Sequence, residues 1–132
     1  MARANQKTWI VPEGTSPTEL DLKVLEYQEK GFIVPSRQLI KTPEQIEGIR
    51  RAGVINTGAL DLVAKSIKED MSTAEIDRLV AEYIADNGAI AACLGYEGFP
   101  KSCCTSINEV VCHGIPSDEE LLWDGDIINV DV

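Results

Sequence analysis

At 132 residues, with 44% hydrophobic and 26% charged residues, the chain has room for one ordinary domain or one half of a larger one, and it is too apolar for wholesale disorder. A net charge of −10, with the acidic excess confined to residues 41–132, argues against direct nucleic-acid binding, which needs a concentrated basic surface. No run approaches the roughly 18 apolar residues of a membrane span, and the polar start Met1 to Lys7 has no apolar signal core behind it, so a cytoplasmic setting without membrane contact is expected.

Residues 1–40 read as an N-terminal extension, because Pro12, Gly14, Ser16 and Pro17 interrupt any regular element. A short helix is expected over about residues 18–30, with Leu20, Val24 and Tyr27 on one face and Gly31 as its stop. The apolar patches at Trp9-Ile10-Val11 and Phe32-Ile33-Val34 either dock on a larger body or belong to a poorly ordered leader.

The domain proper, residues 41–132, opens with a clearer signal: Thr42 as cap, Pro43 at the first helical position and Gln45 completing a capping box. Ile46, Ile49, Ile55, Leu60, Val63 and Ile67 recur at near-helical spacing, which predicts one long amphipathic helix in which Gly53 and Gly58 permit close packing. Ser72-Thr-Ala-Glu75 is a second capping box, and Ile76, Leu79, Val80, Tyr83 and Ile84 carry a second helix to Asn87-Gly88. From Ala89 onward the pattern breaks into short apolar runs, and strands are expected at 90–94, 102–107, 110–112 and 127–132. Helices followed by strands imply an α+β unit, an antiparallel sheet covered by two long helices.

Cys93, Cys103, Cys104 and Cys112 fall within twenty residues; their bunching does not suit a disulfide framework, and without a C-x-x-C pair they read as free thiols near a pocket. Alternation along the last strand sets Ile128, Val130 and Val132 on one face and Asn129 with Asp131 on the other. Asp is uncommon inside strands, so Asp131 either ends this one or works on its polar face. His113, the sole histidine, stands between an apolar run and Gly114, where a backbone or substrate can approach closely. Tyr96 and Phe99 with the thiols of Cys93 and Cys104 would form a polarizable apolar pocket suited to a thioether side chain.

Three runs in order, Gly95-Tyr-Glu-Gly-Phe-Pro-Lys-Ser102, Ser106-Ile-Asn-Glu-Val-Val-Cys-His-Gly-Ile-Pro116 and Asp124-Gly-Asp-Ile-Ile-Asn-Val-Asp-Val132, make residues 40–132 resemble the type I methionine aminopeptidases. The resemblance implies the first of the two α+β halves of the pita-bread fold and a metal-dependent hydrolase that removes initiator methionine from nascent polypeptide N-termini. It implies that Asp131 is a metal ligand, that His113 is catalytic and contacts substrate, and that Cys93, Tyr96, Phe99 and Cys104 line the methionine pocket. Glu97 departs from the histidine many relatives carry there. As cofactors the resemblance implies two divalent ions of the Co, Mn, Fe or Zn class, with a monovalent cation near Asn108 and Val110. A second Asp, a His and two Glu are expected beyond residue 132, so the chain should be inactive alone and should self-associate or pair with a C-terminal half. The rival readings are a non-catalytic peptide-binding or assembly module on the same half-fold, and a related enzyme such as a proline dipeptidase.

Overall fold

The computed structural model describes residues 8–132, and their order is helices first, then strands: α1 (Glu19–Glu29), α2 (Pro43–Ser66), α3 (Thr73–Asp86), β1 (Cys104–Ile107) and β2 (Ile128–Asp131), with short 3-10 turns at Arg37–Leu39 and Tyr96–Gly98. The class is α+β, as expected. By compactness the chain divides after Ile46.

The unit up to Ile46 is organised by a buried carboxylate. Thr18 caps α1 in a reciprocal box, its hydroxyl accepting from the Asp21 N–H at 3.2 Å while Asp21 accepts from the Thr18 N–H at 2.9 Å. Asp21 also accepts from the Trp9 indole at 3.0 Å and from the Arg37 guanidinium at 2.7 Å, although no part of it reaches solvent. Those donors, Arg37 foremost and then Thr18, hold its carboxyl far below the usual carboxylate range. Trp9 is thus buried by its own unit, whereas Ile33 of the other apolar patch is fully exposed. The helix ends at Lys30, and Gly31 takes the left-handed turn at φ +85°.

α2, which begins before Glu47, and α3, within the unit Glu47–Val132, behave as their sequence requires. The Thr42–Gln45 box at the start of α2 forms in both directions, and so does the Ser72–Glu75 box of α3. Ile76, Val80 and Ile84 of α3 recur at helical spacing and are buried with Val63 of α2, Cys103 and Leu122. Against this core pack the inner faces of Ile107, Ile128, Val130 and Val132, so the two helices cover one side of the strands. At Gly58 of α2 the Tyr83 hydroxyl of α3 occupies the place of a Cβ, so a larger residue there would require the end of the tyrosine side chain to shift; around Gly53 the space is open, so close packing does not explain that glycine. The chain after Pro116 returns over the start of α3, where Glu120 and Ser117 carbonyls accept the N–H groups of Thr73 and Ala74 that the helix leaves without partners.

Two expected strands are absent. Across 90–94 the backbone turns, Leu94 donating to the Ala91 carbonyl at 3.3 Å, and Ile90 stands 90% exposed. At 110–112 Val110 donates back to Ile107 at 3.0 Å and Val111 is 86% exposed. An apolar run becomes a strand only beside a ladder partner, and among the described residues neither run has one.

Candidate metal and substrate site

β1 and β2 pair antiparallel with Cys104 opposite Asp131, Thr105 opposite Val130, Ser106 opposite Asn129 and Ile107 opposite Ile128. Directly opposed residues share a face, so Cys104, Ser106, Asn129 and Asp131 lie on one side and the core residues on the other. The pair is closed by Asn108, at φ +51°, whose N–H donates to the Ile127 carbonyl at 2.9 Å while its side-chain oxygen accepts from the Ile127 N–H at 3.1 Å. Its amide also donates to Asp126 at 2.7 Å, and with the Trp123 N–H this holds the Asp126 carboxyl below its ordinary value. Asn56 of α2 donates to the Val132 carbonyl at 2.8 Å, fixing the far end of β2.

The start of β1 is tied down from α3. Asp77 accepts from the Ser102 N–H at 2.7 Å and the Cys103 N–H at 3.3 Å, with the Lys101 ammonium 3.8 Å away. Asp77 occupies the buried stripe Thr73, Asp77, Val80, Ile84, and an acid in an apolar stripe is a sequence signal for a buried hydrogen-bonding task.

The Cys104 thiol lies opposite Asp131 across the two strands and within electrostatic reach of Cys93. Burial, then the nearby Cys93 thiol, the Asp131 carboxylate and Cys112, pushes the Cys104 thiol up. Burial and then Asp77 push Cys103 up to about 12. All four cysteines are free. The run 91–99 is a series of tight turns, with Gly95 at φ +81°, Glu97 at +48° and Gly98 at +86°, and Gly95 donating to the Phe99 carbonyl at 2.8 Å. Phe99 is half-buried there and Tyr96 is 69% exposed; the described contacts join neither ring to Asp131.

His113 is exposed and left-handed at φ +59°, beside the outer edge of β1, where Thr105 donates to the Gly114 carbonyl at 3.0 Å. An amide can serve only one edge of its strand, so Gly114 lies on the side of β1 away from β2. Among the described residues three of the four non-glycine residues with positive φ, Glu97, Asn108 and His113, fall in this region, and such backbone gathers where function over-determines conformation. Sequence reading had pointed to none of Asp77, Ser106 or the unpaired, buried hydroxyl of Thr105.

Asp131 is exposed, and among the described residues its carboxylate has no hydrogen-bond or ion-pair partner. A free carboxylate on a rigid strand fits as one oxygen donor to a divalent ion. Among the described residues, however, no three His, Cys, Asp or Glu side chains converge as a metal-holding group. By itself the Asp131 carboxylate is a single oxygen donor and not a closed metal site.

A family model, metallopeptidase family M24, matches residues 47–132. The chain belongs to this family. It is 54% identical over 97 residues to methionine aminopeptidase 2 of Mycobacterium tuberculosis, covering 74% of this chain and 34% of that protein. It is equally 54% identical over 94 residues to the Escherichia coli methionine aminopeptidase, covering 70% and 36%. The crystal structure of methionine aminopeptidase from Rickettsia prowazekii superposes with a TM-score of 0.66 at 43% identity over 69% of this chain and 36% of that one. That of Thermotoga maritima gives 0.68 at 36% identity, with the same coverage. The chain thus spans about a third of the length of the relatives it matches, and its α+β arrangement matches part of their fold. No helix among the described residues is long and apolar enough to cross a membrane.

Proposed function

We propose that residues 47–132 form one wall of a methionine aminopeptidase active site, which in its complete form removes initiator methionine from nascent polypeptides in the cytoplasm. The observation that carries this reading is the uncommitted Asp131 carboxylate, exposed on the polar face of β2 opposite Cys104, in a chain of a metallopeptidase family. A non-catalytic binding module is not favoured, since the matched relatives are named as aminopeptidases.

Within this reading Asp131 contributes a metal ligand, and two divalent ions, once held with donors from outside this chain, supply Lewis-acid polarisation of the scissile carbonyl and a more acidic water. His113 receives the substrate at the scissile amide and assists proton transfer to the leaving amine. Cys93, Cys104, Phe99 and Tyr96 accept the methionine side chain, the soft thiols and aromatic faces matching its thioether. The backbone near Asn108 and Val110 would hold a monovalent cation. The missing donors come from a C-terminal half or from association with another chain.

The test is a chimera joining this chain to the part of the E. coli relative that follows its matched region, assayed with Co²⁺ or Mn²⁺ on a Met-Ala-Ser peptide. Methionine release is expected, with Phe99→Ala chiefly raising KM and His113→Ala chiefly lowering kcat. A chimera that releases methionine equally well after Asp131→Asn would overturn the assignment.

A further inference from the structure

Histidine visits the left-handed region more readily than most residues, but its Cβ still makes that backbone costly, so neighbouring contacts must help to hold His113 at φ +59°. The residue after it is clamped twice: the Gly114 carbonyl accepts from the Thr105 N–H at 3.0 Å, and the Gly114 N–H donates to the Ser106 hydroxyl at 3.2 Å. These two bonds do different work. The first sets the register of the segment against β1, whereas the second grips the peptide plane that joins His113 to Gly114, because that N–H and the His113 carbonyl share one rigid plane. The plane's orientation is the ψ angle of His113. Gly114 itself cannot resist rotation sterically from its own side chain, and it must remain glycine, since a Cβ would run into the Thr105 carbonyl.

Ser106 is suited to the grip. It is buried, in the middle of β1, and opposed to Asn129, so its hydroxyl is carried by the paired strands on the face that also bears Cys104 and Asp131. We propose that Ser106 is a positioning residue for His113: its hydroxyl, by accepting the Gly114 N–H, fixes the left-handed turn that carries the imidazole at the outer edge of β1. The proposal deepens the aminopeptidase reading and rests on it for the catalytic consequence, while the positioning itself stands on the geometry of this chain. Removing the hydroxyl leaves the Gly114 amide without its partner and releases the one restraint that depends on a side chain. The restraint from Thr105 survives, so the segment stays docked and only the plane after His113 is freed.

Two readouts separate this from a general packing role. In the 132-residue chain, Ser106→Ala should speed hydrogen exchange at the Gly114 amide by about tenfold, the equivalent of one hydrogen bond, with the amides of α3 and of β2 unchanged. Ser106→Thr, which keeps the hydroxyl, should restore slow exchange. In the chimera, Ser106→Ala should lower kcat by about tenfold with KM held within about twofold, and Ser106→Thr should recover it. Unchanged exchange at Gly114, or equal acceleration throughout α3 and β2, would overturn the proposal, as would full kcat in the alanine variant. A parent chimera without activity would count against the aminopeptidase reading alone, and the exchange data would still decide the role of Ser106.

Discussion

The two strands of the ribbon are paired residue for residue yet buried in opposite ways. Cys104, Thr105 and Ser106 of β1 are all buried, on both faces, while β2 alternates, with Ile128 and Val130 turned to the core and Asn129 and Asp131 open to solvent. A strand sealed on both sides transmits any change of volume or hydrogen bonding to its neighbours, and an open strand face does not. β1 is accordingly the structural wall, held by Asp77 at its start and by Gly114 along its outer edge. The open face of β2 is where chemistry can be reached.

The largest effect should come from breaking the seal on β1. Gly114→Ala drives a methyl group into the Thr105 carbonyl, backbone against backbone, and should destabilise by about 3 kcal/mol in urea denaturation. Asn129→Ala on the open face should change stability by no more than about 0.5 kcal/mol. Comparable costs at the two positions would erase the distinction between the strands.

A smaller effect of the same kind is expected from alkali. The folded state holds the Cys103 thiol up to about 12, above its ordinary value near 8.5, mainly by burial. A raised folded pKa contributes stability that is complete below the unfolded value and is lost as pH rises toward the folded one. The urea midpoint should therefore fall more steeply between about pH 9 and 11 in the parent chain than in Cys103→Ala. Iodoacetamide at neutral pH should modify exposed Cys112 first and Cys103 last, as followed by peptide mass.

These positions also show what the sequence could and could not disclose. The capping boxes at Thr42 and Ser72 and the glycine stop at Gly31 are local devices, complete within four residues or so, and each forms as read. The alternation of β2 was legible because only one of its faces is buried. β1 was recognisable as apolar, but its two sealed faces carry no alternation, so the reach of Ser106 to Gly114 and of Asp77 to Ser102 was hidden in contacts between distant residues. The runs at 90–94 and 110–112 misled because strand propensity is realised only beside a partner, and their exposed Ile90 and Val111 have none in the described structure. Asp131 and His113 were singled out through their motifs; the strand under Asp131 was expected from its alternation, whereas its pairing with Cys104 and the left-handed turn at His113 were not.

The smallest effect should be at Thr105, whose buried hydroxyl finds no partner among the described residues. Thr105→Val removes an unsatisfied polar group at nearly constant shape and should leave stability unchanged or raise it by up to about 1 kcal/mol. A loss of more than that would show that the hydroxyl is bonded in solution and that β1 is less dry than described.

The claim that β2 bears one ligand of a metal site completed from elsewhere is tested most directly by calorimetric titration of Co²⁺ into the 132-residue chain, the chimera and its Asp131→Asn variant. One exposed carboxylate falls far short of a closed site, so the chain alone should show no tight binding, the chimera two ions, and the variant a loss of at least one. Two tight sites on the chain alone, or two retained after Asp131→Asn, would contradict the account.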